Sequence, residues 1–363
     1  MKDRYLKPVM GCLLGTAVGN ALGLPYKGLS RRKIYQHFTP IKGHNLIFNR
    51  GMFSDDTEHI CMTAQSLIVS GGEPVEFACD LAWRWRLWLL GFPVSIDFAT
   101  SIASLKLWLG VSPDRSGVNS AHNGAASRST IIGVCYGDDP LQLMALVEAS
   151  TVMTHNSHSP EAQLGAIAVA VAANCASLEP LIEPQKYYRT LQKFLTHCSI
   201  KLSDEAVIEF LDLIERACLS AEQNESGVAF GDRLARHRGI SSHVCHTVPI
   251  VIQVWLRNQN RYTQGIKEII YLGGDTDTTA AILGGILGAS VGTSGISQRW
   301  LDNIVDFPRS IKWIKSLGKR LAFSCETKTP HAALLLAFYC IPLRNLIFLT
   351  INLFRAFYRL LLF

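Results

Sequence analysis

No Cys-x-x-Cys pair and no Cys/His spacing of the zinc type occurs in this chain, although ten cysteines are spread along its 363 residues. Most of them sit in apolar helical patterns, where a free thiol packs as a small hydrophobe, and such usage fits a reducing cytoplasm. No glycine-rich loop ending in Gly-Lys-Ser/Thr is present, which argues against a P-loop phosphohydrolase. No run of alternating apolar and polar residues marks a strand, and no repeat of solenoid length recurs. The amino-terminal "MKDRYLKPVMGCLLGTAVGNALG" is broken by glycines and lacks the long apolar region of a signal peptide. Charged residues are scarce at 18%, yet apolar residues reach 48%, so the chain is not a disordered polymer. Acid is missing from both ends: residues 1–50 carry nine Lys/Arg against Asp3 alone, and no acid follows Glu326. Such ends suit an acidic partner or an anionic membrane face, and equally a solvated basic edge. No nucleic-acid partner is expected.

What the sequence does contain is helical periodicity. In "TEHICMTAQSLIVSGG", Ile60, Ala64, Leu67 and Ile68 share one face. "EFACDLAWRWRLWLLG" reads as a second helix, with Trp and Leu inward and Arg84 and Arg86 outward. Ser159 and Pro160 open a third as N-cap and first helical residue, and Ser203 opens a fourth. "DTTAAILGGILGASVG" is so rich in small residues that it requires a tight core of neighbouring helices. The expected fold is all-α: a compact single-domain orthogonal helical bundle over residues 1–328, followed by a hydrophobic tail over 329–363.

Two acidic motifs carry the chemistry. "FSDDTEHICMTAQSLI" places Ser54, Asp55, Asp56 and Glu58 at the start of a helix. One Asp there is explained by capping and the helix dipole. An adjacent pair preceded by a hydroxyl suits a hard divalent cation, which takes several oxygen ligands. Some 220 residues later, "GGDTDTTAAILGG" sets Asp275, Asp277 and Thr278 after two glycines and before an almost uncharged helix. Carboxylates at the mouth of a buried helix are partly desolvated, which costs heavily unless a cation compensates. Two such pairs, each with a hydroxyl, suit a two-metal centre. Between them, "SAHNGAASRS" offers Asn123-Gly124 as a polar turn that opens a helix, and "TVMTHNSHSPEA" offers Thr154, His155 and His158.

The set "GTAVGNALGLP", "SDDTE", "NGAASR", "THNSHSPEA" and "GGDTDTTAAILGGILGA", in this order, resembles the ADP-ribosylglycohydrolases of the dinitrogenase-reductase-activating type over about residues 8–325. The resemblance implies an all-α fold with a cleft holding two Mg2+ ions, with Mn2+ as the alternative. By position, the metal ligands are Ser54, Asp55, Asp56, Asp275, Asp277 and Thr278. Asn123, Gly124 and His155 fall where members contact ADP-ribose. Ser242 and His243 fall in a loop that borders the nucleotide in relatives. The implied reaction is hydrolysis at ribose C1 of an N- or O-glycosidic bond to a modified side chain or a small conjugate. Asp56 is the expected base for the water, with Asp55 beside it in the catalytic pair. A non-catalytic ADP-ribose binder or toxin-neutralising protein is the competing reading.

Two positions depart from the pattern. Asn20 stands where many relatives have Asp, and an amide keeps hydrogen bonds while losing charge. Lys27 stands where many carry Glu, and a lysine cannot coordinate a hard cation. Either another acid such as Glu58 substitutes, or the loop points elsewhere, or activity is reduced.

The tail, "HAALLLAFYCIPLRNLIFLTINLFRAFYRLLLF", has apolar stretches at 332–343 and 346–351, short of the roughly 20 residues of a spanning helix. On a helical wheel Arg344, Asn345, Asn352, Arg355 and Arg359 fall within about 100° of one another, with Leu, Ile and Phe elsewhere. That pattern suits a helix lying in a membrane interface, a re-entrant or spanning hairpin formed with 332–343 and broken at Pro342, or a helix docked on the domain or on a second subunit. The expected location is cytoplasmic, with the membrane's inner face as a further partner.

Overall fold

The computed structural model describes residues 4–156, 158–196, 204–235 and 239–362. Among them are seventeen α-helices and no strand, with only isolated bridges such as Ser30–Gly273 and His122–His243. Ser203 lies outside the described residues.

Two glycine-rich helices, Leu6–Gly23 and Thr276–Val291, form the centre and are buried along nearly their whole length. Gly11, Gly15, Gly19 and Gly23 recur every fourth residue, so they share one face of the first helix. A Cβ at these four positions would stand 1.9, 2.1, 2.0 and 2.2 Å from the carbonyl oxygens of Gly288, Gly284, Ala280 and Thr276. Only glycine allows that approach. The pairing runs antiparallel. It brings the Gly23 carbonyl onto the Thr276 hydroxyl at 2.9 Å and so sets the first helix beside the second acidic motif.

Around this pair the other helices bury the faces their patterns announce. Ile60, Ala64, Leu67 and Ile68 of Asp55–Ser70 are all buried. In Pro74–Leu90, Trp85 and Trp88 are inside, but Trp83 is 58% exposed, which corrects the expectation of inward tryptophans. Arg84 is not free in solvent. It pairs with Asp80 at 2.6 Å and bonds Ser66 at 3.1 Å. Ser159 starts Pro160–Leu178 but does not cap it with its side chain. Its hydroxyl instead bonds Asn119 Oδ1 at 2.9 Å and accepts from the Ser120 N–H at 2.7 Å, tying a loop.

The segment beyond residue 328 ends in the helix Ile341–Leu362, and this helix is seated on the domain by its polar stripe. Arg344 pairs with buried Asp306 at 2.6 Å and donates to the Phe53 carbonyl at 2.5 Å. Asp306 in turn accepts from the Phe53 N–H at 3.2 Å. Both backbone groups of the residue before Ser54 are therefore held from this end of the chain. Asn345 donates to the Gly91 carbonyl at 2.7 Å, and Arg355 reaches the carbonyls of Leu46 and Pro25 at 2.8 and 3.1 Å. Arg359 bonds the carbonyls of Lys27 and Pro25. Leu346, Leu353, Phe354 and Phe357 face outward. The reason for this orientation is supply and demand: irregular loops present carbonyls without donors, and arginine brings five. Three helices are long and apolar enough to cross a membrane by composition, but Leu6–Tyr26 and Pro160–Leu178 are core elements. Phe338–Phe357, with mean hydropathy 1.3, is only 22% buried.

The glycine contact generates a direct test. Gly15→Val should destabilise the protein by about 3 kcal/mol, because the backbone cannot give way to a branched side chain. Urea unfolding measures it, and a change below about 0.5 kcal/mol would show that the helices are not in backbone contact.

Candidate active site

Three helices begin at one place: Asp55–Ser70, Gly124–Tyr136 and Thr276–Val291. Their N-cap residues are Ser54, Asn123 and Asp275, and none of these side chains caps its own helix. Each turns to another element instead. Ser54 Oγ donates to Asp277 Oδ2 at 3.2 Å. Asn123 Nδ2 lies 2.8 Å from both Asp275 Oδ2 and Thr247 Oγ1. The Thr278 hydroxyl stands 3.0 Å from Asp56 Oδ2 and 3.4 Å from Asp275 Oδ1, bridging the two motifs. Asn20, delivered by the glycine-lined helix, completes the cluster. Its Nδ2 donates to Ser54 Oγ and Asp56 Oδ2 at 2.9 and 3.2 Å. Its Oδ1 accepts from the Ser54 N–H and the Thr57 hydroxyl at 2.7 and 3.1 Å. The loop before Asp275 turns through Gly273 and Gly274 at φ 74 and 83°, a region that favours glycine. Three helix N-termini aimed at one point favour anionic groups there.

The cluster floors a cavity of about 330 Å3. Asp55, Asp56, Thr278, Asn123 and Gly124 line one part; His59, His122 and residues 94–97 line another. Several buried polar atoms at or beside it have no partner: Asp277 Oδ1, Asn123 Oδ1, His59 Nε2, His122 Nδ1 and His155 Nε2. Buried polar atoms are normally satisfied, so this concentration marks a place built for something else to bind. His155 is buried, with Nδ1 on the Thr154 hydroxyl at 2.8 Å. Burial, helped by the nearby Arg128 charge, pushes its pKa down to about 3, so the ring is neutral. His59 is likewise held well below its usual value by burial, between Trp85 and Trp88 with ring centres at 4.5 and 4.7 Å.

Other expected residues lie further out. Ser242 accepts the Asn123 N–H on its carbonyl at 2.9 Å, so it supports the site through backbone. His243 is exposed and turns its ring to the Cys245 N–H at 3.3 Å, capping the next helix. His158 is exposed. Sequence reasoning missed His59, His122 and Asp97. His122 adjoins Asn123 and was within reach; nothing local singles out the other two. A second cavity of similar volume, between Lys42, Arg299 and Trp300, has no carboxylate in its lining.

Lys27 does not point elsewhere. Its Nζ lies 2.9 Å from Asp277 Oδ2 and 3.5 Å from Asp275 Oδ1. Burial works against its charge, but Asp277 and Asp275 outweigh it and hold the ammonium well above its ordinary pKa. The carboxylates stay under-neutralised all the same. Burial, then the Asp277 charge, pushes Asp56 up to about 7. Asp55 is raised by burial and by Asp56, and Asp277 by burial, against the pull of Lys27. Glu58 is no substitute ligand: its oxygens are taken by Arg309 at 2.8 Å and Trp88 Nε1 at 2.7 Å. That corrects one sequence-based alternative. The donor set, all carboxylate and hydroxyl oxygen with Asp277 Oδ1 unsatisfied, fits a hard divalent cation in kind. Among the described residues, however, no three His, Cys, Asp or Glu side chains stand in a ready-made ligand arrangement.

Glu58 should therefore prove structural. Glu58→Ala leaves Arg309 unpaired in the interior and should cost about 3–5 kcal/mol in thermal unfolding. An unaltered melting curve would mean that the ion pair contributes nothing.

The profile of a family described as ADP-ribosylglycohydrolase matches residues 1–330. An uncharacterized protein of Archaeoglobus fulgidus is 30% identical over 310 residues, covering 81% of this chain and 90% of its own length. The ADP-ribosyl-[dinitrogen reductase] glycohydrolase of Rhodospirillum rubrum is 23% identical over 301 residues, covering 81% of this chain and 89% of that protein. A solved structure described as an ADP-ribosylglycohydrolase-related protein complex superposes with a TM-score of 0.63 at 21% identity, covering 90% of this chain and all of that one.

Proposed function

The chain belongs to the ADP-ribosylglycohydrolase family, and from that premise we propose that it is a metal-dependent hydrolase that releases ADP-ribose from a modified protein side chain or a small conjugate. Membership supports a glycohydrolase activity in general. The observation that carries the finer reading is the meeting of Ser54–Asp56 with Asp275–Thr278 at one cavity, around polar atoms that lack partners. Ser54, Asp55, Asp56, Asp275, Asp277 and Thr278 would hold two divalent cations, Mg2+ or Mn2+. Such an ion, when bound, supplies Lewis-acid polarisation of ribose hydroxyls and water.

The remaining work falls to the chain's own groups. Asp56, oriented by the Asn20 amide and the Thr278 hydroxyl, takes a proton from water as the water oxygen bonds to C1. The C1–N or C1–O bond breaks, and the departing side chain takes up the proton that Asp56 received from the water, which returns Asp56 to its carboxylate. Asn123 and the neutral imidazoles of His59 and His155 offer a donor or acceptor to the sugar and phosphates without adding charge. The second reading, a binder that retains ADP-ribose uncleaved, is favoured by one observation: the Lys27 ammonium lies among the carboxylates.

Arginine- and serine-ADP-ribosylated proteins, incubated with Mg2+ and with chelator, separate the two. Metal-dependent release of ADP-ribose is expected, and Asp56→Ala and Asp277→Ala should each lower it by roughly 10²-fold or more. Tight ADP-ribose binding with no release would establish the binder; unchanged release in both variants would displace the site.

We further propose that the outward apolar face of Ile341–Leu362 rests on the cytoplasmic face of a membrane. Its arginines are spent on the domain, so attraction would be apolar rather than electrostatic. In vesicle flotation the full chain should bind neutral and anionic lipid alike, and Phe354→Ser with Phe357→Ser should release it. Failure to float with either lipid refutes the membrane reading.

A further inference from the structure

Lys27 is a half-exposed residue whose side chain reaches inward from the rim to two buried carboxylates. Its backbone is not free to carry it away. The Gly28 N–H donates to the Gly274 carbonyl at 2.8 Å, and the Leu29 carbonyl accepts the Gly274 N–H at 2.8 Å. The strip after Lys27 is therefore laced to the loop that delivers Asp275. On the other side, Arg359 holds the Lys27 carbonyl at 3.2 Å, and Arg355 and Arg359 hold that of Pro25. The ammonium is thus aimed at Asp275 and Asp277 by contacts from both ends of the chain.

The contacts are asymmetric across the cluster. Lys27 bonds the Asp275–Asp277 side. Asp55 and Asp56 receive no bond from it. An ammonium and a divalent ion repel one another and compete for the same oxygens. Mg2+ moreover gives up its hydration shell reluctantly.

We propose that Lys27 is the second cation of this site: its ammonium stands in place of one divalent ion against Asp275 and Asp277, and leaves one metal position, on the Asp55–Asp56 side. This rests on the metal-dependent reading above and departs from the two-ion centre that the family resemblance implies.

The test is Mn2+ stoichiometry on the full chain, by equilibrium dialysis, with electron paramagnetic resonance to report whether ions are coupled. Wild type and Lys27→Arg, which keeps the charge, should bind one Mn2+ and give an uncoupled spectrum. Lys27→Met and Lys27→Glu should bind two and give the exchange-coupled spectrum of a close pair. Two ions in wild type, or one ion in both Lys27→Met and Lys27→Glu, would overturn the assignment of Lys27 while leaving metal dependence intact. No ion in any form would overturn the metal reading itself, and this proposal with it.

Discussion

At Gly11, Gly15, Gly19 and Gly23 one helix backbone rests on the carbonyl oxygens of another, with no side chain between them. That contact fixes the separation and the register of Leu6–Gly23 against Thr276–Val291. Everything at the cleft inherits this register. Asn20 is one residue past Gly19, and so meets Ser54 and Asp277; Lys27 leaves the same helix end and meets Asp275. A change of one residue in the pairing would turn Asn20 by about 100° and dissolve the cluster.

The cleft is assembled against local preference. Ser54, Asn123 and Asp275 each occupy the position where a side chain ordinarily satisfies its own helix. All three have been diverted to a neighbour. Like-charged carboxylates are gathered in a site from which water is partly excluded, and several polar atoms are left without partners. Each of these choices costs stability, and conflicts of this kind gather where a fold does its work. The scaffold that tolerates them is glycine-tight on one side. On the other it is pinned by the buried ion pairs of Arg309 with Glu58 and Arg344 with Asp306.

The helical class was legible because apolar periodicity extends through most of the chain, as at Ile60, Ala64, Leu67 and Ile68. The two acidic motifs were legible as well, since a hydroxyl and two carboxylates ahead of an apolar helix form a compact local pattern. What stayed hidden was direction. Glu58 lies three residues from Asp55, but its partners Arg309 and Trp88 are distant in sequence. The wheel of the last helix shows a basic stripe; it does not show that Phe53, Asp306 and a row of loop carbonyls await that stripe. Trp83 faces solvent although its neighbours Trp85 and Trp88 do not, because a helix admits only part of an aromatic run to the core. His59 and Asp97 reach the cavity through tertiary placement alone.

Because Asp275 and Asp277 come so late in the chain, the cleft cannot exist until residues 275–278 have been made, some 220 residues after Ser54–Asp56. The Ser54–Asp56 motif leaves the ribosome long before its counterpart, and its donors Asn20 and Thr278 arrive from opposite ends of translation. Phe53 waits longer still, for Arg344. A ligand held in the cleft consequently reports that Asn20, Ser54–Asp56 and Asp275–Thr278 have come together, segments made at widely separated times.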